Sequence, residues 1–336
     1  MREALLYLRL ENGRVRCETC AHGCVIAPGK KGICGVRENR DGKLISLVFG
    51  KAVAAHDDPI EKKPLFHFLP GSRSFSIATA GCNMHCLNCQ NADISQMPVD
   101  QGRIAGETLP PEAVVRAAQE SGCDSVSFTY TEPAVFWDYA FETARLARRA
   151  GLRTVFVTNG FWSEKSLKTL LPYMDAANVD LKFFRDASYR EICGARLEPV
   201  LETVRTLRRA GVWVEATTLV IPDLNDSGEE LREIASFLRG TDPDMPWHVS
   251  RFHPTYRMTD RPATPVSTIR KARAIGLEEG LRFVYTGNIP GDDGESTLCP
   301  SCGETVIGRR GFTVLTRAVR EGKCGFCGTE IPGVWD

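Results

Sequence analysis

The chain lacks a surplus of charge of either sign. Across its 336 residues, 42 Lys and Arg balance 42 Asp and Glu, for a formal net charge of zero. Broad nucleic-acid binding runs on clustered positive charge that displaces counterions, so no such surface is expected. A local basic patch at Arg205, Arg208 and Arg209 remains compatible with that balance. No apolar run approaches the roughly 20 residues that a membrane-crossing helix needs. The start, Met1 to Leu10, is broken by Arg9 and has no small-residue cleavage site, so no signal peptide is expected. The expectation is a cytoplasmic protein with no membrane partner.

What is abundant is cysteine, with 13 residues. In a reducing cytosol such thiols bind metals rather than form disulfides. They fall into three sets: Cys17, Cys20, Cys24 and Cys34; Cys82, Cys86 and Cys89; and Cys299, Cys302, Cys324 and Cys327. Cys123 and Cys193 stand apart and read as small packed hydrophobes. A hydrophobic content of 43% is ordinary for a globular chain, and the length suffices for a large core plus appendages.

Four segments are expected. Residues 1–55 read as a small module in which four thiolates close a tetrahedral zinc or a cubane cluster, with His22 as an alternative ligand. Lys43–Phe49 ends it as a strand. Residues 56–72 carry three prolines and many charges and read as a connector, either lining a pocket or solvated. Residues 73–290 alternate strand and helix. Strands are expected at 73–79, 124–129, 153–158, 176–182, 212–220, 246–252 and 282–286. Helices are expected at 111–121, 133–150, 163–171, 197–210, 227–239 and 265–279. Most begin at Pro or Ser and end near Gly; Gly276 falls inside the last one and breaks the pattern. About six βα units imply an α/β fold with a parallel sheet, a partial (β/α)6 barrel rather than a closed eightfold one. Residues 291–336 form a short, self-contained tail with two C-x2-C-G knuckles. The pattern is that of a zinc ribbon or rubredoxin-like knuckle, and zinc is favoured. So small a tail buries little core, so the metal would supply most of its folding energy.

The central triad, Cys82-x3-Cys86-x2-Cys89, follows the apolar run Phe75–Gly81. Three thiolates on one loop can cap three irons of a cubane and leave the fourth open. A zinc site and plain buried thiols are the other readings. In parallel βα folds, chemistry sits at the C-terminal ends of the strands, where this loop lies. Other strand ends carry Thr129-Tyr130-Thr131-Glu132-Pro133, Thr158-Asn159-Gly160, Asp180-Leu181-Lys182 and Phe252-His253-Pro254. Alternation puts Asp180 and Lys182 on one face, and Glu215 and Thr217 read as facing the same way. Tyr256, Arg257 and Arg261 are candidate substrate contacts. The bland readings are a turn for Asn159-Gly160, an ion pair for Asp180–Lys182 and a structural His253.

The C-x3-C-x2-C loop after the first strand of the repeat resembles the signature of the radical S-adenosylmethionine (SAM) superfamily. The resemblance implies a [4Fe-4S] cluster on Cys82, Cys86 and Cys89. It further implies SAM on the open iron, and an electron from an external donor that cleaves SAM to methionine and a 5′-deoxyadenosyl radical. Tyr130, Thr131 and Glu132 stand where the superfamily has Gly-Gly-Glu, which binds the SAM amino group; both glycines are replaced. Thr158 and Asn159 then face the SAM carboxylate or ribose. Asp180 and Lys182 resemble the Asp-x-Lys of pyruvate formate-lyase activating enzymes, and His253 resembles their histidine near SAM. The chain as a whole resembles the radical SAM family of the AmmeMemoRadiSam system. The carrying segments are 17–39, 58–72, 81–91, Tyr285-Thr286-Gly287-Asn288 and the terminal knuckles. The implied function is hydrogen abstraction from an unidentified substrate, a protein glycine or a small molecule. A multi-zinc scaffold binding a partner, without SAM chemistry, is the alternative; it rests on the two four-cysteine sets.

Overall fold

Strand and helix alternate from residue 73 to 287 because apolar runs of period two are punctuated by capped amphipathic helices. The computed structural model describes all of residues 1–336. Its centre is an open eight-stranded sheet. In chain order the strands are β1 (Ala54–Pro59), β2 (Arg73–Ala78), β3 (Ser125–Phe128), β4 (Arg153–Thr158), β5 (Ala176–Asp180), β6 (Trp213–Val220), β7 (Trp247–Arg251) and β8 (Val284–Gly287). Spatial order follows chain order, and β2 to β8 are all parallel. All seven expected strands of the repeat are present. The crossover helices are α1 (Pro111–Glu120), α2 (Trp137–Arg149), α3 (Glu164–Leu170), α4 (Leu197–Arg209), α5 (Gly228–Thr241) and α6 (Val266–Glu278). Ser163 and Ser227 cap α3 and α5, each accepting from the amide three residues on.

Side chains alternate across the sheet. Ile77, Val126, Phe128, Phe156, Val179, Val214 and Val249 join the helices in a core cluster of 60 buried residues. The other face mixes polar pairs, Ser74 with Ser127 at 2.5 Å and Thr217 with Asn178 at 2.9 Å, with an apolar patch of Val155, Ala176 and Trp213 under Leu65 and Phe68. Glu215 stands on that face but is not at the strand ends. It is buried and accepts from the backbone amides of Phe66 and His67, from the Trp213 indole and from His248. It faces the same way as Asp180, as expected, and anchors residues 66–67 deeper in the sheet.

The stretch 56–72, expected to contain no element interior, begins inside β1, which pairs antiparallel with β2 from Ala54↔Ala78 to Pro59↔Arg73. Ile60, Glu61, Lys63, Leu65, His67 and Phe68 are buried, so this is not a solvated linker. Its charges are partnered inside the protein. The C-terminal tail is likewise not self-contained. Val306, Ile307, Val319 and Trp335 share a cluster with Phe66, Phe283 and Tyr285. Phe68 bridges Val334, and Arg309 donates to the Phe66 carbonyl.

Helix α2 starts at Trp137 rather than 133, because the Glu132 carboxylate takes the Ala134 amide and holds 131–136 as a loop. Gly276, inside α6, has a packing reason. A Cβ there would lie 2.9 Å from Trp247 Cε3 and 2.9 Å from Val284 Cγ2, so the bare backbone lets α6 lie on β7 and β8. Ala gains about 1 kcal/mol of helix propensity, while overpacking costs about 1–3 kcal/mol. Gly276→Ala is expected to lower the urea midpoint; a raised midpoint would show that α6 has room to move.

Candidate functional site

The loop after β2 is bent by Gly81, whose φ is +106°. A Cβ there would meet Val36 Cγ1 at 2.7 Å and the Cys34 carbonyl at 3.2 Å, so the N-terminal module can press on the loop only at a glycine. From below, the His85 amide donates to the Cys193 carbonyl at 2.9 Å and the Leu87 amide to the Ile192 carbonyl at 3.0 Å. Those acceptors belong to a single π-helical turn, Tyr189–Cys193. Two donors face Cys82, with Met84 N at 3.4 Å and Asn159 Nδ2 at 3.6 Å from its Sγ, and the Ser95 hydroxyl lies 3.1 Å from Cys89 Sγ.

Burial pushes the Cys82 and Cys89 thiols up, and the nearby Glu132 carboxylate adds to the rise at Cys82. Without a cation these sulfurs stay protonated; a metal takes the proton's place. Cys193 lies beside Cys86, and this neighbour holds the Cys86 thiol down against burial. Cys193 was expected to be a plain packed thiol. Sequence spacing gave no sign of this contact, since 107 positions separate the pair (193 − 86).

The strand ends bring several expected residues together. Glu132 is buried and accepts from Thr158 Oγ1 at 2.8 Å and from the Asn159 amide at 2.8 Å. Burial raises its carboxyl to about 7. Asn159 reaches Asn83 Oδ1 at 2.8 Å as well as Cys82. Lys182 and Asp180 pair at 2.8 Å. Burial disfavours the Lys182 ammonium, but Asp180, Cys86 and Cys193 outweigh it and the pKa is raised well above the ordinary value. Lys182 is thus a fixed cation beside the triad. Thr131 is turned away, its hydroxyl on the Thr79 carbonyl at 2.8 Å. His253 is exposed past β7. Tyr256 and Arg257 bond Asp100 at 2.6 and 2.9 Å, and Arg261 bonds the Pro222 carbonyl at 3.0 Å. The local arginine patch that the charge balance left open is paired: Arg205 with Glu198, Arg208 with Asp242 and Arg209 with Glu202.

Tyr130, just past β3, adopts a backbone conformation that is usual for glycine. Its φ is +63°, the left-handed conformation that glycine adopts freely and other residues adopt at about 1–2 kcal/mol. Two bonds offset this. Asn91 Nδ2 donates to the Tyr130 carbonyl at 2.9 Å, and the phenol donates to Asp58. Asp58 also takes Lys62 at 2.8 Å and buried Lys63 at 2.7 Å. Burial alone would raise the Asp58 carboxyl, but these donors outweigh it and hold it below its ordinary value.

The three cysteine sets differ in spacing. Cys299, Cys302, Cys324 and Cys327 have all their sulfurs within 4.8 Å of one another, and they are the only group of potential ligands so drawn together. Two of their contacts are 3.6 and 3.8 Å. A tetrahedral ion with metal–sulfur bonds of about 2.3 Å requires sulfurs about 3.8 Å apart. This set therefore fits a single ion. The sulfurs of Cys82, Cys86 and Cys89 are not all within 4.8 Å of one another, a spacing compatible with a cubane, in which each thiolate binds a different iron.

A family model described as the radical SAM superfamily matches residues 76–238. The chain is 43% identical over 334 residues to an uncharacterized protein of Methanocaldococcus jannaschii, spanning 98% of this chain and 99% of that one. It is 23% identical to the pyruvate formate-lyase-activating enzyme of Clostridium pasteurianum over 51% of this chain and 71% of that enzyme. Among solved structures, Streptococcus suis SuiB bound to precursor peptide SuiA has a similar fold. The TM-score is 0.51 at 16% identity, over 69% of this chain and 52% of the SuiB chain. No helix is long and apolar enough to cross a membrane.

Asp58→Ala leaves Lys63 buried without its counter-charge and is expected to cost about 3–5 kcal/mol in urea unfolding. Tyr130→Phe removes one bond to a charged group and should cost about 1.5–3 kcal/mol. A larger loss for Tyr130→Phe than for Asp58→Ala would contradict this reading of the network.

Proposed function

We propose that this chain, which carries a radical SAM domain at residues 76–238, cleaves SAM reductively and abstracts hydrogen from a substrate C–H bond. The observation that carries the proposal is the triad loop at the C-terminal end of β2, with Glu132, Asn159 and Lys182 converging on it. Cys82, Cys86 and Cys89 would hold the [4Fe-4S] cluster. When bound, the cluster and SAM supply the one-electron chemistry and the deoxyadenosyl radical.

The chain's own groups bind and orient. The Met84 amide, the Asn159 amide group and the Ser95 hydroxyl steady the thiolates. Thr158 and the Asn159 backbone fix the Glu132 carboxylate toward the SAM ammonium. Asp180 and Lys182 offer one charge of each sign to the SAM amino acid moiety. Tyr130 takes the backbone role of the missing glycine, and Thr131 serves by its carbonyl, as its hydroxyl is engaged with Thr79. His253 reaches SAM only if its loop turns inward.

Within the superfamily we place the chain in the AmmeMemoRadiSam group, on its terminal cysteine sets and Tyr285-Thr286-Gly287-Asn288. Its setting is a reducing cytoplasm with an external low-potential electron donor. The C-terminal set holds zinc. The acceptor is a protein glycine or a small molecule; similarity to an enzyme named for activating pyruvate formate-lyase supports the former.

Anaerobic incubation with SAM and dithionite is expected to yield 5′-deoxyadenosine and methionine. Cys86→Ala should abolish both while retaining one zinc per chain. Deoxyadenosine from Cys86→Ala, or zinc in place of iron in the reconstituted wild type, would overturn the proposal.

A further inference from the structure

We propose that Cys17, Cys20, Cys24 and Cys34 hold a second iron–sulfur cluster in electronic contact with the Cys82 loop. The contact half of this rests on the functional reading above; the cluster half stands by itself.

Spacing comes first. Unlike the sulfurs of the C-terminal set, no three of the four N-terminal sulfurs lie within 4.8 Å of one another. They line one cavity of about 10 Å³, roughly the room that one water-sized sphere needs. Sulfurs about 2.3 Å from a common ion leave no such room between them. A cubane spreads its thiolates, because each caps a separate iron.

The surroundings suit an anionic cluster. Backbone amides of His22, Ile33 and Val36 point at the sulfurs of Cys20, Cys24 and Cys34. Arg37 lines the same cavity and is buried. Its Nε donates to the Val135 carbonyl at 3.1 Å and its Nη2 to Asp138 at 2.6 Å. Its Nη1 is buried with no partner. A buried cationic N–H left unpaired is costly, and a cluster sulfide or thiolate would accept from it. His22 is not free to ligate through Nε2, which bonds the Asn83 carbonyl at 2.8 Å.

The contact is short. Asn83 lines the N-terminal cavity and is adjacent in sequence to Cys82. The Cys34 carbonyl and Val36 pack against Gly81, on the other side of Cys82. One electron would leave the reduced N-terminal cluster, oxidising it, and reduce the cluster on Cys82. A low-potential one-electron carrier of the ferredoxin or flavodoxin class restores the first.

The test uses the full chain after anaerobic reconstitution. The wild type is expected to carry about eight irons and about one zinc. The variant Cys82→Ala/Cys86→Ala/Cys89→Ala should keep about four irons and give a reduced-cluster EPR signal with dithionite, its fold reported by the retained zinc. The reduced wild type should show spin–spin splitting that this variant lacks. Zinc instead of iron in the triple variant would overturn the second cluster, and an unsplit wild-type spectrum would overturn the contact. The complementary Cys20→Ala/Cys24→Ala variant separates the two claims: if it alone loses all iron, the functional reading fails and the N-terminal cluster survives.

Discussion

A thiolate is tolerated inside a protein only beside a cation, and this chain gathers thiols in three sets, each with buried members. Much of the architecture follows from that constraint. The C-terminal sulfurs close to single-ion distances, and the tail around them packs its apolar residues onto Phe66, Phe283 and Tyr285 rather than building a core of its own. The central and N-terminal sulfurs are not drawn to single-ion distances, and two cations, Lys182 and Arg37, lie beside them.

The parallel sheet turns this constraint into a site. Each strand delivers its loop to the same edge, so Glu132, Asn159 and Lys182 reach the triad although they are far apart in the chain. The opposite end is closed by residues 63–68, tied down by Glu215, Asn178 and the C-terminal tail. Glu215 and Asn178 hold that end by hydrogen bonds to the backbone, and Arg309 ties the tail to the Phe66 carbonyl. The N-terminal module is locked on by the Arg37–Asp138 ion pair, and Gly81 lets it approach the triad loop closely.

The repeat was legible because its signals are local: apolar runs, serine caps and terminal glycines mark all seven parallel strands and the six crossover helices. The cysteine sets were legible from spacing alone. What was hidden depends on long-range partners. Prolines and charges made 56–72 look solvated, yet Asp58, Lys63 and Glu61 are buried with partners from distant segments, Tyr130 and Arg309 among them. Cys193 meets Cys86 only through the fold, and Gly276 acquires its reason only when α6 lies on Trp247. The left-handed backbone at Tyr130 was invisible for the same reason: its offsetting bonds come from Asn91 and Asp58.

Sulfur spacing, on this reading, decides which metal each set takes. Anomalous diffraction from anaerobic crystals, recorded at the iron and zinc edges, tests it directly. The account predicts iron density at the Cys82 loop and at the N-terminal set, with zinc density at Cys299–Cys327 alone. Zinc at the Cys82 loop would contradict it.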